Sequence, residues 1–314
     1  VAVQIARALP GASVRLTKST QQIEAWLRML PETRAVFAAG GDGTAVALIN
    51  ALARVTPPDA AFPTLGVLPL GTGNGWAHAL GAQKLHRCLD LLVRAKPGRL
   101  PVRRCGLIEV EATLAHFAGS GWDAMILDDY QRQLEGSKGP GRRFSKSIYG
   151  YLSATLLRTA PKAALSGNPH LLIENLGDDV FAIDPDGRPR RIESAVRGSV
   201  LYDAPAGAAS AGTCPEFGYR FKAFPFAERM PGFISIRAYE RSALGAIASI
   251  PRLWKGAHPL WGMHDWLATH VRMSFSRPVP LQIGGDAHGM RRTIEFRAAD
   301  REVKMVDWRR LESC

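Results

Sequence analysis

Two glycine-rich turns, each preceded by a short apolar run, constrain this chain more than any other feature. Ala35-Val36-Phe37-Ala38-Ala39 leads into Gly40-Gly41-Asp42-Gly43-Thr44, and Leu65-Gly66-Val67-Leu68 leads into Pro69-Leu70-Gly71-Thr72-Gly73-Asn74. Each run reads as a buried strand, and each turn opens into a stretch of helical period. Glycines let backbone N–H groups approach an anion, and the helix that follows places its positive end there. Two such turns within one α/β unit predict a polyphosphate held between them. The plain alternative is a pair of tight βα connections, in which Asp42 or Thr44 only caps a helix. A carboxylate among glycines at a strand's carboxyl end favours a ligand site, because open α/β sheets bind ligands there. Asp42 is then a metal-linked carboxylate or a proton acceptor.

The texture of the chain changes near Pro97-Gly98. Before it, helical patterns at Val1–Leu9, Gln21–Leu30 (capped by Ser19 or Thr20), Ala45–Arg54, Asn74–Leu80 and His86–Arg94 alternate with strands, including a short one at Val14–Leu16. That alternation predicts a doubly wound α/β domain over residues 1–98. After it, short alternating stretches separated by turn residues predict a larger antiparallel β domain over 99–300. Helices at Ile148–Arg158 and Ala243–Trp254 interrupt it, with a mobile basic loop at Gly136–Arg143. The tail, 301–314, is expected to return to the first domain.

The two turns, in this order and each after a strand, resemble the diacylglycerol kinase catalytic-domain family, which includes bacterial lipid kinases and sphingosine kinases. Weaker matches continue through Gly119-Ser120-Gly121-Trp122-Asp123-Ala124 and Gly212–Gly218 to Pro280–Asp286. The resemblance implies an α/β nucleotide domain like that of NAD kinases and phosphofructokinases, a β-sandwich-like second domain and a cleft between them. It implies ATP and Mg2+ as cofactors and a lipid hydroxyl, of diacylglycerol or a sphingoid-like lipid, as phosphoryl acceptor. Gly40, Gly41, Gly43 and Thr44, with Gly71, Thr72, Gly73 and Asn74, are the expected nucleotide-binding residues. Asp42 is expected to be catalytic and linked to the metal, and Asp123 either to orient polar groups at the site or to be a plain loop carboxylate.

Departures from the family pattern concern the second catalytic carboxylate. The family has Asp-Gly-Glu, its Glu acting as proton acceptor, where this chain has Gly284-Gly285-Asp286. Asp286 keeps the charge with one methylene less reach; as an alternative it merely closes a hairpin turn, with His288 nearby. Asn74-Gly75-Trp76-Ala77 lacks an acid that the family carries there. Met230-Pro231-Gly232-Phe233 lacks the Asp of an accessory magnesium site, so that ion is not expected. The family's opening strand and Asn-Pro loop are not seen before the first helix, so the first domain is expected to lack that strand here, either because the sequence starts inside the domain or because that part of the nucleotide site is absent. A nucleotide-binding protein with little transfer activity is the second reading. A soluble-substrate kinase of the NAD kinase type is the third, and the motifs after Gly119 argue against it.

Composition narrows the partners. With 314 residues and 46% hydrophobic content the chain is globular, and 40 basic against 28 acidic residues give a formal charge of +12. Such a balance favours nucleotide phosphates or an anionic membrane surface. The spread of the charge leaves nucleic acid unexpected, and a homodimer is allowed. Cys88, Cys105, Cys214 and Cys314 show neither zinc nor disulfide spacing, which suits a reducing cytoplasm. No apolar run approaches the ~18 residues that span a bilayer, so a lipid would be met peripherally. Trp254, Trp261 and Trp266, beside Arg252 and Lys255, suit either a membrane interface or a buried packing layer.

Overall fold

The computed structural model describes residues 1–30, 33–71, 73–95, 100–121, 124, 167–218 and 220–313. Its first elements are α1 (Ala2–Ala8), α2 (Thr20–Arg28), β1 (Ala35–Gly40), α3 (Asp42–Val55), β2 (Thr64–Pro69), α4 (Gly75–Ala79), α5 (Leu85–Arg94) and β3 (Val102–Cys105). Then come β4 (Ile108–Val110), β5 (Thr113–Ala115), β6 (Phe117–Gly121), β7 (His170–Asn175), β8 (Val180–Ile183), β9 (Pro189–Arg191), β10 (Val200–Pro205), β11 (Ala208–Gly212) and β12 (Ile234–Tyr239). Helix α6 (Ala243–Trp254) precedes β13 (Met263–Ala268), β14 (His270–Ile283), β15 (Asp286–Ala298), β16 (Val303–Val306) and α7 (Trp308–Glu312). The chain divides into two compact units: Val1–Cys105 with Arg301–Cys314, and Gly106–Asp300.

The first unit is an α/β layer on a sheet of order β1-β2-β16-β3. Strands β1 and β2 run parallel in register from Ala35↔Thr64 to Gly40↔Pro69, so both glycine turns leave the sheet at the same end. Buried Val36, Ala38, Leu65, Val67 and Leu68 give these strands the apolar interior expected of parallel pairing. Helix α3 buries Ala45, Val46, Leu48, Ile49, Ala51 and Leu52, and α2 starts at Ser19, whose hydroxyl accepts the Gln22 N–H at 3.3 Å. Val14–Leu16, read as a strand, forms none. Both Val14 and Leu16 are exposed, and no strand among the described residues pairs with them.

The tail supplies an inner strand. β16 runs parallel to β2 through Met305↔Leu65 and antiparallel to β3. This pairing also draws Val102–Cys105 into the first unit. Trp308, fully buried, meets the Phe37 ring edge-on at 6.2 Å between centroids. Arg301 lies over the Phe62 ring at 3.9 Å, and Glu312 accepts hydrogen bonds from Gln83 and Arg87.

The second unit is a 12-stranded antiparallel sheet that bends on itself. The first half of β14 pairs with β7 and its end pairs with β6. The β14–β15 register shifts between Ser274 and Val279, where Pro278 removes a ladder donor. The bend brings Tyr202 of β10 to 6.2 Å from Trp266 and 5.1 Å from His264 of β13, so two layers face one another as in a sandwich. The opposite face of β6, β11 and β12 is covered by apolar clusters around Phe117 and Phe224, and around Tyr239, Leu253 and Leu260. The expected helix at Ile148–Arg158 and basic loop at Gly136–Arg143 lie outside the described residues.

Within this unit Arg237 of β12 and Asp265 of β13 form a buried ion pair, Nη2 to Oδ2 at 3.2 Å. The Arg237 Nη1 also donates to the Ala223 carbonyl. His258 completes the network, Nε2 donating to the Asp184 carbonyl at 2.7 Å and Nδ1 lying 3.5 Å from Asp265. Burial pushes the Asp265 pKa up, but the charge of Arg237 and bonds from His258 and Arg237 outweigh it, and the net shift is downward. The His258 pKa is raised, chiefly by Asp265. Asp265→Ala leaves Arg237 buried and unpaired, so it should cost about 3–5 kcal/mol in urea unfolding. A raised histidine stabilises the fold fully below its unfolded value of 6.5, and the contribution disappears as pH rises through the folded value. His258→Gln should therefore flatten that part of the stability–pH curve, measured by unfolding from pH 5 to 9.

Candidate active site

Asp42 is the first helical residue of α3, yet its carboxylate serves the start of a different helix. Oδ2 accepts the Gly75 N–H at 2.9 Å and Oδ1 accepts the Trp76 N–H at 3.0 Å. These are the first amides of α4, which have no intrahelical partner, and the positive end of that helix favours the negative charge. The residue that would ordinarily cap α4 is Asn74, in the left-handed region at φ 52°. Its side chain is turned the other way: Oδ1 accepts from the Gly71 N–H at 2.9 Å and Nδ2 donates to the Gly71 carbonyl at 2.7 Å. Asn74 thus shapes the second turn, and Asp42 of the first turn supplies the missing cap.

The two turns touch through backbone. A Cβ on Gly71 would lie 2.3 Å from the Gly41 Cα, and one on Gly41 would lie 3.1 Å from the Gly71 Cα. The Leu70 N–H donates to the Gly40 carbonyl at 3.0 Å. Gly71 is therefore demanded by the packing of turn against turn, whereas a Cβ on Gly41 asks its neighbour to give way by only a few tenths of an ångström. The amides of Gly41 and Gly43 stand at the N-terminus of α3, where no carbonyl precedes them within the helix. Thr44 packs its hydroxyl over Gly40. Gly40, Gly41, Asp42, Gly43, Thr44, Gly71, Gly73 and Asn74 all lie on these two turns or the first turn of α3, whereas Thr72 and Asp123 lie outside the described residues.

A carboxylate has about four acceptor positions, and Asp42 gives two of them to the Gly75 and Trp76 amides. Backbone amides at the start of α3 and this carboxylate are the donor set a metal–phosphate group requires. Among the described residues no group of three or more His, Cys, Asp or Glu converges on a metal position.

Asp286 belongs to the second unit. Gly284 and Gly285, at φ 57° and 91°, are the two central residues of the β14–β15 hairpin, a turn with both φ positive. Asp286 is the first strand residue after it, paired with Ile283. The turn is pinned by the Gly284 N–H donating to the Phe117 carbonyl at 2.9 Å and the Gly285 N–H donating to Gln282 Oε1 at 3.1 Å. Asp286 remains open to solvent, but the surrounding protein desolvates its carboxyl and raises its pKa, while His288 draws it back. Gln282, wholly buried with an unpaired Nε2, was not singled out from sequence. Its signal was a lone amide between Leu281 and Ile283.

Two solved structures share this fold across both units. A Bacillus anthracis protein assigned as a diacylglycerol kinase superposes with a TM-score of 0.65 at 17% identity, covering 96% of this chain and 88% of that one. Another Bacillus anthracis diacylglycerol kinase gives 0.57 at 13% identity, covering 96% and 87%. The family model described as the diacylglycerol kinase catalytic domain matches over the segment that carries both turns. That match spans residues 3–105, about a third of the chain. The eye-specific diacylglycerol kinase of Drosophila melanogaster is 50% identical over 54 residues, which is 17% of this chain and only 4% of that protein's length.

Two substitutions test how the two glycine turns hold together. Gly71→Ala forces a Cβ into the Gly41 backbone and should cost about 1–3 kcal/mol. Asp42→Asn replaces one of two accepting oxygens by an NH2 facing a backbone donor, and should cost a further sum of the same order, about 1–3 kcal/mol. Thermal and urea unfolding of both variants measure these costs; an unchanged midpoint in either would remove that contact from the fold's support.

Proposed function

We propose that this chain is an ATP-dependent kinase that transfers the γ-phosphoryl group to a lipid hydroxyl, of diacylglycerol or a sphingoid-like lipid. The observation that carries the proposal is the Asp42 carboxylate joining two glycine turns at the carboxyl ends of adjacent parallel strands. Phosphoryl transfer asks for positioned phosphates, charge compensation and a group to take the hydroxyl proton, and little covalent chemistry. In this reading the backbone of Gly40, Gly41, Gly43, Gly71 and Gly73 and the Thr44 hydroxyl hold the phosphates. Thr72 joins them on sequence grounds, and Asn74 keeps the second turn in shape. Asp42 would hold Mg2+, which when bound would offset charge on the transferred group.

The acceptor hydroxyl oxygen forms the new P–O bond as the bond to the bridging oxygen of ADP breaks, and its proton passes to Asp286. A raised carboxyl pKa suits a proton acceptor, because it brings basicity closer to working pH. Asp123 is assigned an orienting role. No helix among the described residues is long and apolar enough to cross a membrane. The proposed location is the cytoplasmic membrane surface, reached peripherally. A second reading, nucleotide binding without transfer, is favoured by Gly284, which fills a left-handed turn position where the family pattern has an acid.

Transfer of labelled γ-phosphate to a panel of micellar lipids, with NAD and water as controls, decides between them. Label in lipid alone is expected; label in NAD alone, or in nothing, overturns the proposal. Asp286→Ala should lower turnover about 10²–10⁴-fold with ATP affinity unchanged, because a base acts mainly in the transition state. Asp286→Glu should retain activity. The acidic limb of the wild-type turnover profile should lie above the ordinary aspartate value of 3.8. A parallel loss of ATP binding in Asp286→Ala would reassign the residue to nucleotide positioning.

A further inference from the structure

Between α6 and β13 the chain turns through residues 255–262 and presents Trp261 to solvent at 73% exposure, while Trp266 is buried and Leu260 beneath it anchors the loop in the core. The indole is not bare. The Arg241 guanidinium stacks on it, 3.2 Å from the ring centroid. On the loop's other flank Arg252 donates to the Pro259 carbonyl at 3.2 Å, Lys255 is exposed, and the Lys222 N–H donates to the Trp254 carbonyl at 3.2 Å. None of Arg241, Arg252, Lys255 and Lys222 has a carboxylate partner among the described residues, and the neighbouring Glu240 is engaged by His264 at 3.2 Å.

We infer that the 255–262 loop is the surface by which the second unit docks on an anionic lipid bilayer, with Trp261 at headgroup level and these four cations toward lipid phosphates. A single exposed apolar side chain needs no explanation. An exposed indole among unpaired cations, on a chain of formal charge +12, is the combination an anionic interface rewards. Tryptophan prefers the headgroup boundary, where one end is apolar and the other wet. Each basic residue near an anionic surface adds to the attraction. The stacked guanidinium lets ring and charge enter that boundary together, since the pair exchanges water for a ring face and a phosphate.

The loop is far from the Asp286 carboxylate. It joins the strand end marked by Tyr239, where the Glu240 N–H donates to the Gly262 carbonyl at 2.9 Å. The Asp286 hairpin is pinned at the other end, to Phe117, which aligns through Gly212 with Ser235. Changes in the loop can therefore alter membrane residence without touching that group. The purpose of docking rests on the lipid-acceptor reading; docking itself does not, and is measured without nucleotide.

The experiment is sedimentation of the full chain with phosphatidylcholine vesicles containing 0–40% phosphatidylglycerol (about these limits), chosen to vary surface charge alone. Binding should rise with anionic fraction and fall with salt. Lys222→Glu with Lys255→Glu should weaken it ~25-fold or more, about fivefold for each cation lost. Trp261→Phe should remove the part of the tryptophan emission that brominated lipid quenches. Transfer to a short-chain, monomeric acceptor should stay unchanged in all of these variants. Equal vesicle binding by wild type and the double variant, or quenching undiminished in Trp261→Phe, overturns the proposal. So does failure of the wild type to bind, the result expected if this loop meets a protein instead. Binding that follows the predicted pattern with no transfer to any lipid upholds the docking surface and sinks the kinase reading.

Discussion

The Asp42 carboxylate is the contact on which the end of the first unit that carries both glycine turns depends. It begins one helix and caps another, and so fixes the spacing of two turns whose backbones are already in contact. The constraint is steric and electrostatic at once. Glycine is required at position 71 because a Cβ there meets the Gly41 backbone, and an acceptor is required beside Gly75 and Trp76 because two helix-start amides would otherwise be unpaired, an anion being favoured by the helix dipole. A side chain with those duties is a poor candidate for free movement. Any charge it lends to a bound nucleotide is lent from a position set before binding, which is the condition for efficient electrostatic stabilisation.

A second dependence runs through the chain's end. β16 lies between β2 and β3, so the sheet that carries the turns is closed by residues that follow the entire β unit. The strand that carries the second glycine turn would be an open edge without it, a liability in any sheet. Trp308 against Phe37 and Arg301 over Phe62 bind the same tail to β1 and to the segment that leads into β2. The first unit is thus discontinuous in sequence, and completing it carries the entropic cost of a closure that spans the whole second unit.

Local chemistry made much of this legible. Apolar runs followed by glycine turns located β1 and β2, spacing located α2, α3 and α5, and Ser19 is read directly as a cap. What was hidden is long-range. Asn74 looks like a ligand-facing side chain in a phosphate loop, but its amide is spent on Gly71, and only the fold reveals that Asp42 reaches across to take its place. Val14 and Leu16 alternate like a strand and yet are exposed, because alternation records an opportunity for pairing and not the presence of a partner. Arg237 and Asp265 sit in strands that otherwise read as apolar; that they are partners follows from the β12–β13 register alone.

The β unit shows why its motifs are weak in sequence. β6 and β11, Phe117–Gly121 and Ala208–Gly212, are made mostly of glycine, alanine and serine, with both faces covered. Small residues there let the layers on either side approach, at the cost of the branched side chains that mark a strand. The same approach pins the Gly284 amide to Phe117 and surrounds the Asp286 carboxyl with protein while leaving it reachable from solvent. The raised pKa comes from desolvation by the protein around the hairpin, against the opposing pull of His288; the shorter reach comes from the aspartate side chain itself. As the proposed proton acceptor, Asp286 would ask the acceptor hydroxyl to come closer than a glutamate would, because its side chain is one methylene shorter.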